Sequence, residues 1–235
     1  IIIIIMNIYI SLTTLPDRIK SDHFKNVYLS LKNQKIKFYK MIINLSTNQF
    51  RYDIPDYLIE DPDIILNYTH INGPCAKLVG SIDLIPNKSL VIIIDDDIVF
   101  KNNFIEELYK SHRKNPFTVI SNFVISHKIN ENEFLDEPNG FGGFAFLMRP
   151  RIQQIKNLYN DMPKCAFKID DTWFGWCFRK IDIKIKNSNI LYPWITVLDH
   201  KNTDKHPKWY ELNKNTNREL LTKEFLNLIR NKILK

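Results

Sequence analysis

The stretch Leu90-Val91-Ile92-Ile93-Ile94-Asp95-Asp96-Asp97 decides how this chain is read. Its continuous apolar run, dominated by β-branched residues, fits a strand buried on both faces, as in a parallel sheet covered by helices. The carboxylates that follow would repel one another unless a cation or hydrogen-bond donors stand among them. Open α/β sheets bind ligands beyond the carboxyl ends of their strands, so these acids sit where a ligand is expected. Alternate side chains of a strand share a face, which sets Asp95 and Asp97 on one side and Asp96 on the other. Such a pair can hold one hard divalent cation together with diphosphate oxygens. The competing reading is an acidic turn that caps the next helix.

Outward from this segment, strands alternate with helices. Apolar runs predict strands over 6–12, 40–45, 64–68 and 118–125, with later ones near 181–186 and 196–198. Phe24, Val27, Tyr28 and Leu31 recur at helical spacing, and further helices are expected over 75–84, 104–114, 152–159 and from Asp170. Residues 46–62 read as a loop with a short helix at 57–59. The alternation predicts an α/β fold with a mainly parallel sheet. No linker or repeat interrupts it, so residues 6–235 are taken as one domain. Residues 6–125 form a nucleotide-binding half and 126–235 an acceptor-binding half. Met6 reads as the natural start, and Ile1–Ile5 carry no functional reading.

The net charge of +7 and a pI near 9.1 favour anionic partners. The lysines are scattered rather than gathered, which fits a solvated surface and argues against nucleic acid. Cys75, Cys165 and Cys177 have neither disulfide-framework nor zinc spacing. A reducing, cytoplasmic setting is therefore expected. No segment is long and apolar enough to span a membrane. The C-terminal helix, with Leu221, Phe225, Leu228 and Ile229 on one side, could touch an acidic membrane, but packing on its own domain is preferred.

Further residues stand out. Gly73-Pro74-Cys75-Ala76-Lys77 starts a helix whose exposed amides favour anions, with Lys77 in its first turn. Asn139-Gly140-Phe141-Gly142-Gly143-Phe144-Ala145-Phe146 permits close backbone approach, with aromatics able to stack on sugar faces; a bulged core strand is the alternative. Asp170 and Asp171 open an aromatic helix and could simply cap it. Val197-Leu198-Asp199-His200 ends a late strand with an imidazole, more often a structural residue than a ligand.

The apolar strand feeding Asp-x-Asp, set within an alternating chain, resembles the GT-A glycosyltransferases, and the resemblance runs from Met6 to Pro207. It implies a single GT-A (Rossmann-like) domain that transfers a sugar from a nucleotide diphosphate sugar to a glycan or other acceptor hydroxyl, with UDP the commonest nucleotide. It further implies Mn²⁺ or Mg²⁺ on Asp97, with Asp95 toward the metal and ribose and Asp96 near the sugar. His200 would be the third ligand, with His206 as fallback and Asp199 orienting the ring. By the same resemblance Thr13, Thr14 and Arg18 meet the nucleotide and Lys77 reaches the donor. Asp-Asp-x-x-x-Gly at 170–175 resembles the segment that supplies the catalytic base of inverting members, with Asp171 favoured over Asp170. Two other readings compete. Haloacid-dehalogenase-like phosphatases share the spelling of residues 95–99, with Ser121, Lys164 and Asp170-Asp171 imitating their later Ser or Thr, their Lys and their acidic pair. A carbohydrate-binding protein that has lost turnover would keep the fold.

Overall fold

The computed structural model describes residues 6–47, 51–190, 193–197 and 217–234. Strand β1 (Ile8–Thr13) is central, parallel to β2 (Lys40–Ser46) on one side, which in turn pairs parallel with β3 (Ile64–Thr69). On its other side β1 pairs parallel with β4 (Leu90–Ile93), so that Ile10 stands in register between Met41 and Ile92. Short strands lie outside this sheet: β5 (Ile98–Phe100), and β7 (Val124–Lys128), which forms a ribbon with β8 (Phe134–Pro138). β6 (Val119–Ser121), β9 (Phe144–Leu147) and β10 (Ile185–Asn187) complete a seven-stranded sheet of order β10-β6-β9-β4-β1-β2-β3. Only β9 runs antiparallel, wedged between β4 and β6. A final strand, β11 (Trp194–Val197), pairs with β5. The fold is α/β with a mainly parallel central sheet, as the sequence predicts.

Both faces of this sheet are covered, which is why β1 and β4 read as unbroken apolar runs. On one face Ile10, Leu12 and Ile92 pack against α2 (Asp22–Lys32) and α5 (Phe104–Lys114); the short helices α1 (Pro16–Ile19), α3 (Asp56–Ile59) and α4 (Ala76–Val79) lie in the connections between strands and longer helices. On the other face Tyr9, Val91 and Ile93 meet Leu78 and Val79 of α4, with α6 (Gln154–Asn160) and α7 (Asp170–Lys180) beside it. Each fully buried Ile, Leu or Phe contributes roughly 1.5–3 kcal/mol. Helix α7 is buried from Asp170 to Phe178, because the β7–β8 ribbon covers the side it turns away from the sheet. The last helix, α8 (Arg218–Arg230), packs on its own domain: Phe225 and Leu226 are buried and Phe225 meets Trp176 edge-on at 6.3 Å.

Several elements depart from the sequence reading. The strand expected over 118–125 breaks into β6 and β7, because Asn122 turns the chain and bonds the Gly142 carbonyl with its side chain. The helix expected over 75–84 stops at Val79 and resumes as a 3-10 turn at Ile82–Leu84. The Gly-rich stretch becomes the turn into β9, with Gly143 at φ +77, a conformation suited to glycine. All three cysteines are free and buried. Among the described residues no helix is long and apolar enough to cross a membrane.

Gly175 fixes how closely α7 approaches the ribbon, since an added Cβ would fall on the backbone carbonyl of Asp136 in β8. Backbone cannot move aside as a side chain does. Gly175→Ala is expected to destabilise the protein by about 1–3 kcal/mol through overpacking. Thermal unfolding of the two proteins checks this, and an unchanged midpoint would show that α7 has slack.

Candidate active site

Ser11 and Asn44 are polar residues set in the apolar strands β1 and β2, and both are fully buried. Asn44 donates to Ser11 Oγ at 3.0 Å and to the Leu12 carbonyl at 2.9 Å. Ser11 in turn donates to the main-chain carbonyl of Lys77 at 2.7 Å. Asn67 donates from β3 to the carbonyl of Gly80 at 2.8 Å, where a Cβ would stand 2.7 Å from Asn44 Oδ1. A buried polar group is tolerated only when it is hydrogen-bonded. This network therefore pins α4 to the sheet at one height, and with it the side chain of Lys77.

The Lys77 ammonium is buried and touches three carboxylates, Asp95 Oδ1 at 2.8 Å, Asp170 Oδ2 at 2.7 Å and Asp171 Oδ1 at 2.9 Å. Asp171 is held from the other side by the Gly140 amide, which donates to Oδ2 at 3.1 Å. Gly140 passes so close that a Cβ there would lie 2.5 Å from Lys77 Nζ and 2.7 Å from Asp95 Oδ1. Next to this cluster lies a second. Thr14 Oγ1 donates to Asp96 Oδ2 at 2.6 Å, Arg18 is ion-paired with Asp96, and Arg18 Nη1 lies 3.8 Å from Asp97 Oδ2. The Asp97 carbonyl can only accept, so His23, with Nε2 at 2.9 Å from it, carries its proton there. Behind α7, buried Glu137 of β8 accepts from Thr172 Oγ1 at 2.5 Å and pairs with His127 Nε2 at 2.7 Å. That contact fixes the helix start that carries Asp170 and Asp171.

The cluster holds five carboxylates against two cations. Burial, the largest influence, raises the Asp95 carboxyl; Lys77 opposes it and the charges of Asp97 and Asp170 add to it. Asp96 is raised by burial against the pull of Arg18. Asp171 is pushed up to about 7 by burial, with Lys77 opposing and Asp170 and Asp95 reinforcing. Burial works to lower the ammonium of Lys77, and its three carboxylate partners outweigh it, so the group stays charged well above its ordinary range. Asp95 is the member of its cluster that reaches solvent, with a side chain 31% exposed against 7% for Asp171.

Thr14, Arg18, Lys77, Asp95, Asp96, Asp97, Asp170 and Asp171 are thus brought together. Thr13 instead donates to the Asn44 carbonyl at 2.9 Å and ties β1 to β2. The expected alternation of the acids does not hold. Strand β4 ends at Ile93 and Asp96 and Asp97 stand in the turn to β5, so Asp96 and Asp97 share Arg18 while Asp95 turns to Lys77. The lysine of the cluster is Lys77, not Lys164, and Ser121 turns its hydroxyl to the Phe123 carbonyl, so the phosphatase arrangement is not assembled. Asp199, His200 and His206 lie outside the described residues. Among the described residues no three His, Cys, Asp or Glu side chains converge as metal ligands. The chemistry of Asp95 and Asp97 nevertheless fits a hard divalent cation, because each is an oxygen donor and the charge of Asp97 already strains the ionisation of Asp95.

Sequence reasoning missed Ser11, Asn44, His23, Tyr52 and Glu137. The Tyr52 hydroxyl donates to the Thr14 carbonyl at 3.1 Å and is pushed up to about 12, chiefly by burial. Ser11 and Asn44 did carry a signal: a polar residue inside an otherwise apolar strand needs a buried partner.

By sequence no protein-family model and no characterised protein matches the chain. Among solved structures, S. aureus TarS 1–349 is similar at a TM-score of 0.52 and 13% identity, over 80% of this chain and 59% of that one. The 4-diphosphocytidyl-2C-methyl-D-erythritol synthase of Anaerococcus prevotii is similar at 0.51 and 13%, over 80% and 91%. CMP:2-keto-3-deoxy-manno-octonic acid synthetase in complex with CTP is similar at 0.51 and 12%, over 93% and 99%. At these identities the likeness establishes a shared α/β fold, and function has to be argued from the site.

The Asp171 carboxyl has a consequence for stability. Unfolded, it releases its proton near 3.8; folded, it keeps it to about 7. Between those values the native state binds the extra proton, so stability falls as pH rises. Asp171→Asn has no such titration. The melting temperature of the wild type relative to Asp171→Asn should therefore decline from about pH 4 to about pH 7 and level off above. Parallel curves would show that the carboxyl is not raised.

Proposed function

We propose that the chain is a glycosyltransferase of the GT-A type, moving a sugar from a nucleotide diphosphate sugar to an acceptor hydroxyl with inversion. The observation that carries this reading is the convergence of Asp95, Asp170 and Asp171 on one buried lysine beyond the end of β4. An acceptor hydroxyl is a poor nucleophile at neutral pH and needs a carboxylate within hydrogen-bond reach to take its proton. Asp171 is suited to that role, because a base works best with a pKa near the working pH, and its carboxyl lies at about 7. Gly140 and Lys77 hold it by one oxygen each, which fixes its direction. Arg18, with Thr14, borders the turn of Asp96 and Asp97 and would meet the nucleotide. Asp95 and Asp97, with His200, would hold Mn²⁺ or Mg²⁺. Such a cation neutralises charge on a leaving diphosphate.

A second reading, nucleotidyl transfer from CTP, is favoured by the fold shared over nearly the whole length of the CTP-bound synthetase. The two differ in product: the first releases a nucleoside diphosphate from a nucleotide sugar, the second releases pyrophosphate from CTP.

Nucleoside diphosphate with Mn²⁺ should raise the melting temperature, by roughly 2.7 kcal/mol of stabilisation at a hundredfold excess over Kd. Chelation or Asp97→Ala should remove the shift and the transfer activity together. Full transfer in EDTA would exclude the metal. For the base, Asp171→Asn should lower kcat about 10²–10⁴-fold while donor binding stays near normal. Asp170→Asn should be milder, and NMR of the early product should show the inverted anomer. Retention, or an Asp171→Asn enzyme of ordinary rate, would reject the assignment.

A further inference from the structure

The other end of the sheet carries the opposite charge. There the chain enters β6 and β10 and leaves β9, away from the acids beyond β4. Arg113 and Lys114 end α5, Arg149 and Arg151 follow β9, Lys184 leads into β10 and Lys186 lies within it. Contacts draw these turns together. Lys186 Nζ bonds Asn115 Oδ1 at 2.8 Å, the Val119 amide bonds the Lys184 carbonyl at 2.9 Å, and Arg149 Nη2 bonds the Pro116 carbonyl at 2.8 Å. All six cations except the half-buried Arg149 are exposed. Two acids border this end, Asp182, 3.6 Å from Arg151 with its side chain 93% exposed, and Asp83 beside Leu84, ion-paired with Lys156, and exposed pairs of this kind contribute little. The positive charge is accordingly felt inside: Arg149 is lowered by burial and by Arg151, and His112 is lowered to about 4 by burial and by Arg149.

From the middle of this ring projects Phe117, 72% exposed, with the Arg149 guanidinium stacked 4.3 Å from its ring centre. Leu84, 42% exposed, ends the 3-10 turn Ile82–Leu84, which packs against the 3-10 turn Pro150–Gln153 that carries Arg151. We propose that this end of the sheet docks on an anionic phospholipid bilayer, Phe117 and Leu84 entering the headgroup boundary while the surrounding arginines and lysines meet lipid phosphates. Charge complementarity selects an anionic partner. The apolar tip selects a bilayer over a nucleic acid, since an interface rewards an apolar side chain flanked by long cationic ones. The acidic cluster would then open away from the membrane.

The test uses the whole chain, sedimented with vesicles of phosphatidylcholine alone or mixed with phosphatidylglycerol. Binding is expected only to the mixed vesicles and should weaken as salt is raised. Arg113→Gln/Lys114→Gln/Lys184→Gln alters exposed side chains alone and should lower partitioning by about a hundredfold, each cation being worth roughly fivefold. Phe117→Ser should lower it several-fold without changing the salt dependence. Melting curves of both variants should match the wild type. Equal binding to neutral vesicles, no binding to either, or binding that survives the triple substitution would overturn the proposal. So would capture of single-stranded RNA, lost in the triple variant, by a protein that ignores vesicles.

Discussion

One ammonium group organises the functional end of this molecule. Lys77 is buried among Asp95, which follows β4, and Asp170 and Asp171, which open α7, so that three separate parts of the chain meet at one group. Taking such charges out of water is costly, and their mutual attraction repays it only with good geometry. A buried ion cluster is therefore weak evidence of stability and better evidence of a fixed arrangement. Here the arrangement is fixed from all sides, by Ser11 beneath α4, by Gly140 against Asp171, and by Glu137 on Thr172.

The neighbouring cluster is built differently. Arg18 enters from α1 across the turn that holds Asp96 and Asp97, and Tyr52 reaches the Thr14 carbonyl from the loop after β2. One cluster is gathered mainly on the helices α4 and α7, with Asp95 at its solvent side, and the other on α1 and the turns near the first strands. The two clusters therefore differ in how firmly the surrounding elements hold them.

The parts of the fold most legible in the sequence were those dominated by local apolar pattern. The runs at β1, β2 and β4 and the spacing of Phe24, Val27 and Leu31 lead directly to a covered parallel sheet. The strand β9 was met only as the alternative reading of the Gly-rich stretch, and its direction escaped because nothing local distinguishes a strand running backward. Most of the site was legible through charge, since Asp95, Asp171 and Lys77 are groups that do not enter a core without partners. What the sequence could not reveal is who partners whom. The alternation argument failed at Asp96 because it carried strand geometry into a turn, and the supports at Asn44 and Glu137 depend on neighbours distant in the chain.

The antiparallel strand also bears on how the molecule comes to exist. β1, β2 and β3 can pair as they emerge, but β4 acquires its outer neighbour only after β9 has been made, and Lys77 meets Asp171 across a separation of 94 residues. Contacts that close such long loops form late and slow the folding of the whole. A partly synthesised chain thus holds a buried-type lysine with little to neutralise it, and the site is among the last things to form. Its assembly waits on α7, which brings Asp170 and Asp171 to the lysine.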